Sequence, residues 1–356
     1  MVKRKVMVAM SGGVDSSVAA VLLLKSGYEV VGATMDLVSC QMEDNPGRCC
    51  GWSAVDDARQ VASQLGIPHY VLNYQERFEK QVIDYFCAEY LQGRTPNPCI
   101  ACNRLIKFGD MLQQARAIGM DYLATGHYAR IQYDEERQRY SLYRGLDRHK
   151  DQSYVLYTLN QEQLSHTLFP LGEYSKPQIR TMAGDLELVV AEKAESQEIC
   201  FVADDDYARF VAERNPGCIK PGPILNMQGE LLGQHQGIAH YTIGQRRGLR
   251  LAQGYPVYVV ALDPQRNAVM IGTKDEVFSH GCKATNLNWI AIDQLEEVME
   301  VEAQIRYTAK PVRALLSKNA DGSVQVDFKE AVRALTPGQA VVFYDGDRVI
   351  GGGTIN

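Results

Sequence analysis

The chain has 356 residues, enough for two or three domains, and its 46% hydrophobic and 22% charged content is that of an ordinary folded protein. No apolar run approaches the ~20 residues of a membrane span, and nine cysteines, an odd count with no signal peptide, argue against a secreted disulfide framework and for reduced thiols in a cytoplasmic protein. The net charge of −6 weighs only mildly against nucleic acid as a partner, because phosphate contacts need a local basic patch rather than a basic chain.

The first element is an apolar strand, Val6–Met10, followed by Ser11-Gly12-Gly13-Val14-Asp15-Ser16 and an amphipathic helix that stops near Gly27. Two glycines let the backbone turn tightly and aim its N–H groups at an anion, the helix dipole adds to the same spot, and Ser11, Ser16 and Ser17 offer hydroxyl donors. The Walker A lysine is missing. A buried strand, Glu29–Met35, completes a β-α-β unit, so the sheet is expected to be parallel with ligands beyond the strands' carboxyl ends. There Met35 lies either against an adenosine or in the core.

Residues 38–51 suggest an irregular surface loop in which the adjacent Cys49 and Cys50 are poorly spaced for a shared metal. A helix (53–65), a strand (69–72) and a helix packed by Phe78, Val82, Phe86 and Tyr90 follow. Arg94-Thr95-Pro96-Asn97-Pro98-Cys99-Ile100-Ala101-Cys102-Asn103-Arg104 then runs from an extended loop into a helix. With the helix start, Arg94, Arg104 and Lys107 nearby, a thiol here is expected to have a lowered pKa and to react as thiolate; a redox pair, half a metal site, or two buried small residues are the other readings.

Tyr122 to Arg130 reads as one more strand ending at the ligand edge, where Gly126 permits close approach to a nucleotide; His127 has no settled role. A hairpin (131–144) precedes Lys150-Asp151-Gln152-Ser153-Tyr154, suited to phosphate and base contact or to a solvated turn. Ser175-Lys176-Pro177-Gln178 opens a helix to about Leu188 with a capping box. Cys200 lies in Glu195–Val202, polar on approach and apolar on both sides, and the acids 204–206 suit a helix start better than magnesium. From Asn215 onward, short strands between Gly, Pro and Asn turns predict a small β unit and then an antiparallel barrel; residues 239–249 are basic and Gly-rich.

The Ser11–Ser16 loop resembles the pyrophosphate loop of the PP-loop ATPases, which split ATP between the α and β phosphates. SGGVDSS (11–17), TPNP…CN…IKF (95–108), TGHYAR (125–130), KDQSY (150–154), ESQEICFV (195–202), HYTIGQRRGL (240–249), Arg306-Tyr307 and TPGQAVVFY (336–344) together resemble the tRNA-specific 2-thiouridylases, in order and across nearly the whole chain. The resemblance implies an α/β, parallel-sheet N-type PP-loop ATPase domain (1–205), a small central β domain (206–279) and a C-terminal antiparallel β-barrel (280–356). It implies ATP, with magnesium, at Ala9, Met10, Ser11, Gly12, Gly13, Val14, Asp15, Ser16, Met35 and Gly126. Transfer RNA would meet Asn97, Pro98 and Cys99 at the target base, and His127, Lys150, Asp151, Gln152, Arg306, Tyr307 and Gln339 elsewhere. Cys102 matches the family nucleophile and Cys200 the persulfide carrier, so a persulfide donor protein is implied as a second partner.

Many family members carry Asp, the expected acid–base group, where this chain has Cys99. That departure leaves open a thiolate in proton transfer, or a [4Fe–4S] cluster on Cys99, Cys102 and Cys200. A PP-loop amide ligase would leave the cysteines unexplained and lacks an ammonia-supplying domain here, and a non-catalytic RNA-binding module would leave Asp15 and the serines of an intact loop without a use.

Overall fold

The computed structural model describes residues 3–38, 52–194, 199–202, 204, 206–249, 251 and 253–356. Cys40, Cys49, Cys50 and the stretch 195–198 lie outside the described residues.

Strands β1 (Lys5–Ala9), β2 (Glu29–Asp36), β3 (His69–Asn73), β4 (Tyr122–Ala124) and, after the hairpin β5 (Ala129–Asp134) and β6 (Arg139–Arg144), β7 (Thr167–Leu168) supply the first sheet, in the order β3-β2-β1-β4-β7. Every pairing in it is parallel, as the β-α-β pattern predicts. β1 is central and apolar on both faces. Val6 and Val8 pack with the helix Val14–Lys25, while Met7 joins Phe78, Phe86, Ile106 and Phe108 on the opposite side. The helices 75–91 and 98–117 form that second layer, and each contains a π-helical stretch, Glu79–Ile83 and Cys102–Met111. The wider i→i+5 turn begins at Cys102, and π segments of this kind recur at functional positions.

The stretch Tyr122–Arg130 is not one strand. β4 ends at Ala124, Thr125–Tyr128 forms a bend over the pyrophosphate loop, and Ala129 starts the hairpin. Gly126 explains the break: a Cβ there would lie 2.9 Å from the backbone of Asp15 and Ser16, so the chain turns to follow the loop rather than continuing straight. The helix at Lys176–Asp185 also ends earlier than Leu188.

Strands β8 (Gly222–Leu225), β9 (Leu231–His235), β10 (Tyr258–Asp263) and β11 (Ala268–Gly272) form the small sheet β10-β11-β8-β9. The rest are β12 (Phe278–Trp289), β13 (Met299–Gln304), β14 (Val312–Lys318), β15 (Val324–Arg333), β16 (Ala340–Asp345) and β17 (Arg348–Ile355). They run β12-β15-β14-β13-β16-β17, and β17 pairs back with β12, closing an antiparallel six-stranded barrel with no free edge. Its interior alternates along each strand, with Val301 and Ala303, Ala314 and Leu316, and Val324, Val326 and Phe328 inward. The hairpin β5–β6 does not stay with the first sheet. Tyr143 pairs with Arg348 of β17, so this hairpin, which follows β4 in the chain, joins the barrel.

Candidate active site: a Gly-rich loop and two converging cysteines

The loop Ser11–Ser16 sits beyond the carboxyl end of β1 and opens the helix Val14–Lys25. It is knitted from within. The Ser11 N–H donates to Ser16 Oγ at 3.1 Å, and the Ser16 and Ser17 hydroxyls donate to the Gly13 carbonyl at 3.2 and 2.9 Å. Gly12 takes φ +66° and is packed so closely on the helix Trp52–Leu65 that a Cβ would lie 2.2 Å from the Ala54 carbonyl oxygen. Ala9 ends β1, and the Met10 carbonyl accepts from Thr34 Oγ1 at 2.8 Å, tying the loop's entry to β2. Met35, half-buried, ends that neighbouring strand against the core.

Among the described residues two lysines reach this loop: Lys176, which the sequence marked only as part of a helix cap, and Lys193, on which no motif falls. Lys176, at the start of its helix, donates to both Asp15 carboxylate oxygens at 2.7 and 2.8 Å, and Tyr128 Oη donates to the same carboxylate at 2.7 Å. Lys193 donates to the Gly12 carbonyl at 3.0 Å and to Asp57 Oδ2. A lone lysine 161 or 181 residues from the loop carries no local signal of proximity, so only the fold could reveal either one.

The cysteine helix begins with a strong cap. Asn97 Oδ1 accepts from the Cys99 and Ile100 N–H groups at 3.0 and 3.3 Å, and Pro98 takes the first helical position, where its missing donor costs nothing. Cys99 is exposed; Cys102, one turn on, is buried. Burial pushes the Cys102 thiol up to about 12, against the partial counter-effect of Lys107. The expected depression by the helix start and nearby cations does not occur, because desolvation outweighs them. Cys102 nevertheless feels both the Cys200 and the Cys99 thiol electrostatically, so the fold brings the two distant cysteines into one neighbourhood. The anchor for Cys200 is its neighbour Phe201, fully buried and in edge contact with Phe78 and Phe86 at ring centroid distances of 5.7 and 5.3 Å. None of the three cysteines is in a disulfide. Among the described residues no three His, Cys, Asp or Glu side chains stand at metal-holding spacing. Without that spacing, Cys99, Cys102 and Cys200 do not form an iron–sulfur cradle in this arrangement.

The other candidate residues divide into two sets. His127 is buried, hydrogen-bonded through Nδ1 to Thr125 Oγ1 at 2.7 Å and packed against Phe108 and Phe169. Burial holds its pKa well below 6.5, so it braces the Thr125–Tyr128 bend as a neutral ring rather than meeting phosphate as a cation. Asp151 and Gln152 are likewise occupied. Asp151 accepts from Arg144, the Gly145 N–H and Ser153, and Gln152 Oε1 accepts from the Tyr128 N–H at 3.1 Å. Lys150 stands beside them, half-buried. In the barrel, Tyr307 is 41% exposed, with its ring centroid 6.3 Å from that of Tyr154. Arg306 is held by the Ala334 carbonyl, and Gln339 Nε2 donates to the Thr95 carbonyl at 2.8 Å. The acids after Cys200 are a helix start: Asp206 caps Tyr207–Arg214 by accepting from the Arg209 N–H at 2.9 Å.

A parallel sheet with a Gly-rich loop at its carboxyl edge, a thiol-bearing loop held by Gln339 of a closed barrel, and a small β sheet between them in the chain define a multidomain α/β protein whose ligand edge lies beyond the strands' carboxyl ends. Residues 4–204 match the family described as tRNA methyl transferase HUP domain, 209–273 the tRNA methyl transferase PRC-barrel domain, and 279–355 the aminomethyltransferase beta-barrel domain. The tRNA-specific 2-thiouridylase MnmA of Carboxydothermus hydrogenoformans is 56% identical over 99% of this chain and 98% of its own. The enzyme of the same name from Acetivibrio thermocellus is 55% identical over the full length of both. The chain belongs to the tRNA-specific 2-thiouridylase family and is a tRNA-uridine 2-sulfurtransferase. Among solved structures, a 4-thiouridine synthetase–RNA complex with bound ATP matches 60% of this chain and 51% of its own at 17% identity and a TM-score of 0.38, too slight a likeness to argue from.

Proposed function

We propose that this protein thiolates C2 of the wobble uridine in tRNA, in the cytoplasm, by adenylating the uracil O2 and then delivering sulfur from a persulfide on Cys200. The observation that carries the reading is the placement of a phosphate-cradling loop and of Cys102 with Cys200 in one fold. A uracil carbonyl is a poor electrophile; AMP on its oxygen makes that oxygen a leaving group. The loop N–H groups and serine hydroxyls would take the phosphates, and ATP would bring its magnesium on those phosphates. Persulfide sulfur on Cys200 attacks C2 and AMP departs. The Cys102 sulfur then attacks the Cys200 sulfur, cleaving the S–S bond. The transferred sulfur stays on C2 and a Cys102–Cys200 disulfide remains, which an external thiol must reduce. Neither cysteine is in a disulfide, which is the starting state this route requires. The exposure of Cys99 at the helix start, beside Asn97 and Pro98, supports a position facing the base. Lys150 and Tyr307 are the side chains best disposed to contact tRNA directly, while Asp151, Gln152, Arg306, Gln339 and His127 shape the surface that presents them. The persulfide donor is a separate protein.

The test is Cys102→Ser and Cys200→Ser assayed for 2-thiouridine in tRNA. Both lose thiolation by more than a hundredfold while tRNA binding by gel shift is retained. Full thiolation by either variant overturns the route. Stoichiometric iron and sulfide in anaerobically purified protein would replace it with cluster chemistry.

A further inference from the structure

We infer that Lys193 is the cation that holds the β and γ phosphates of ATP and the departing pyrophosphate, standing in for the lysine that the loop itself lacks. The inference rests on the ATP-loop reading above and goes beyond it by assigning a residue.

A triphosphate brings several negative charges, and the loop Ser11–Ser16 offers only N–H and hydroxyl donors to meet them. Among the described residues, two ammonium groups reach the loop. That of Lys176 is bound by both oxygens of Asp15, so this pair brings no net charge to the site. Lys193 is different. Its Nζ donates to a carbonyl of the loop itself, Gly12, at 3.0 Å. Its counter-ion, Asp57, belongs to the neighbouring helix Trp52–Leu65 rather than to the loop. The Lys193 side chain is 27% exposed, so it can reach an anion in the loop without unburying itself. The backbone behind it is fixed. Arg180 donates to the Ala191 carbonyl at 3.3 Å and to the Lys193 carbonyl at 3.5 Å, and the Lys193 N–H bonds Val190 at 3.0 Å. A fixed backbone with the ammonium held at the loop is the arrangement that a phosphate contact needs. In the reaction the uracil O2 attacks the α phosphorus, the bond from that phosphorus to the α–β bridging oxygen breaks, and the electron pair leaves on pyrophosphate. Lys193 is positioned to pair with that growing charge.

The experiment is calorimetric titration of the full-length protein with inorganic pyrophosphate, with MgATP and with AMP. Lys193→Gln weakens pyrophosphate and MgATP about tenfold, the value of one charge-assisted hydrogen bond, and leaves AMP within twofold. Lys193→Arg recovers most of the loss. Asp57→Asn discriminates. It frees the ammonium, so pyrophosphate binds as tightly as in wild type or more tightly. If Asp57→Asn weakens pyrophosphate as much as Lys193→Gln does, the lysine is only a strut between helix and loop and the proposal fails. It fails equally if Lys193→Gln binds like wild type. A wild-type protein that binds neither pyrophosphate nor MgATP instead overturns the ATP-loop reading, and this inference with it.

Discussion

Cys102 carries a conflict between the chemistry proposed for it and its environment. A thiol pushed up to about 12 is thiolate in only on the order of one molecule in ten thousand at pH 8. The exposed Cys99, three residues earlier, has no such shelter. Iodoacetamide at pH 7.5, followed by peptide mass spectrometry, should therefore modify Cys99 well before Cys102. The Cys102 rate should rise about tenfold per pH unit up to its pKa; equal rates at pH 7.5 would contradict the burial. A silent resting thiol suits a group that must not be capped before the adenylated base and the persulfide are in place. His127 poses the same problem with the opposite charge. Its folded pKa lies below its ordinary 6.5, so protons bind preferentially to the unfolded chain as pH falls through that value. The stabilisation is complete above pH 6.5 and is lost progressively below it. His127→Phe should narrow its Tm gap from wild type on going from pH 7.5 to pH 5, as followed by circular dichroism melts; a gap that widens would show that the ring is charged in the fold.

At the scale of elements, the strand–loop–helix start is where local pattern and tertiary fold agree most closely. The apolar run, the paired glycines and the helical spacing after them were legible because each is a short-range constraint. The two glycines are nonetheless unequal. Gly12 has φ +66° and no room, with the Ala54 carbonyl 2.2 Å from a built Cβ, whereas Gly13 meets nothing nearer than Ser11 Oγ at 3.5 Å. Gly12→Ala should abolish MgATP binding, since the left-handed conformation alone costs about 1 kcal/mol and the helix carrying Ala54 must also move. Gly13→Ala should reduce binding only a few-fold, and comparable losses in the two variants would show that the loop refolds freely. Other elements were illegible for physical reasons. The break after Ala124 depends on a close approach of Gly126 to the loop, which no run of β-formers signals. The expectation of a reactive thiolate counted helix dipole and cations, which sequence displays, and missed desolvation, which only packing creates. Lys176 and Lys193 are single residues whose meaning comes wholly from the partners the fold brings to them.

For the whole molecule, the question is why a nucleotide-using domain needs a barrel fused to it. The barrel builds the far wall of the thiol loop. Thr95 donates to the Pro337 carbonyl at 2.8 Å and accepts from Gln339, Arg94 donates to Asn356 at 3.0 Å, and a Cβ at Gly338 would lie 3.0 Å from the Thr95 nitrogen. A second joint passes through Arg144, at the end of the hairpin that β17 captures. Its guanidinium stacks 3.5 Å above the Tyr344 ring, pairs with Asp151 at 3.1 Å and donates to Gln304 Oε1 at 3.2 Å. Gln304 Nε2 in turn donates to the Arg306 and Tyr307 carbonyls at 3.0 and 2.9 Å. One buried cation therefore links Lys150–Gln152 of the first domain to Arg306–Tyr307 of the barrel, the two surfaces proposed above to meet tRNA. Arg144→Ala leaves Asp151 buried and uncompensated, a loss of about 3–5 kcal/mol, and should lower Tm and weaken tRNA binding together. The informative variant is the pair Arg144→Met with Asp151→Leu, which removes both charges and lets apolar packing replace them. Thermal stability should return towards wild type and MgATP affinity should stay unchanged, while tRNA affinity remains at least tenfold weaker, because the Gln304 link that orients Tyr307 is still cut. Full recovery of tRNA affinity in the double variant would mean that the two surfaces hold their relative position without the arginine, and that the barrel's grip on Thr95 alone sets the geometry of the site.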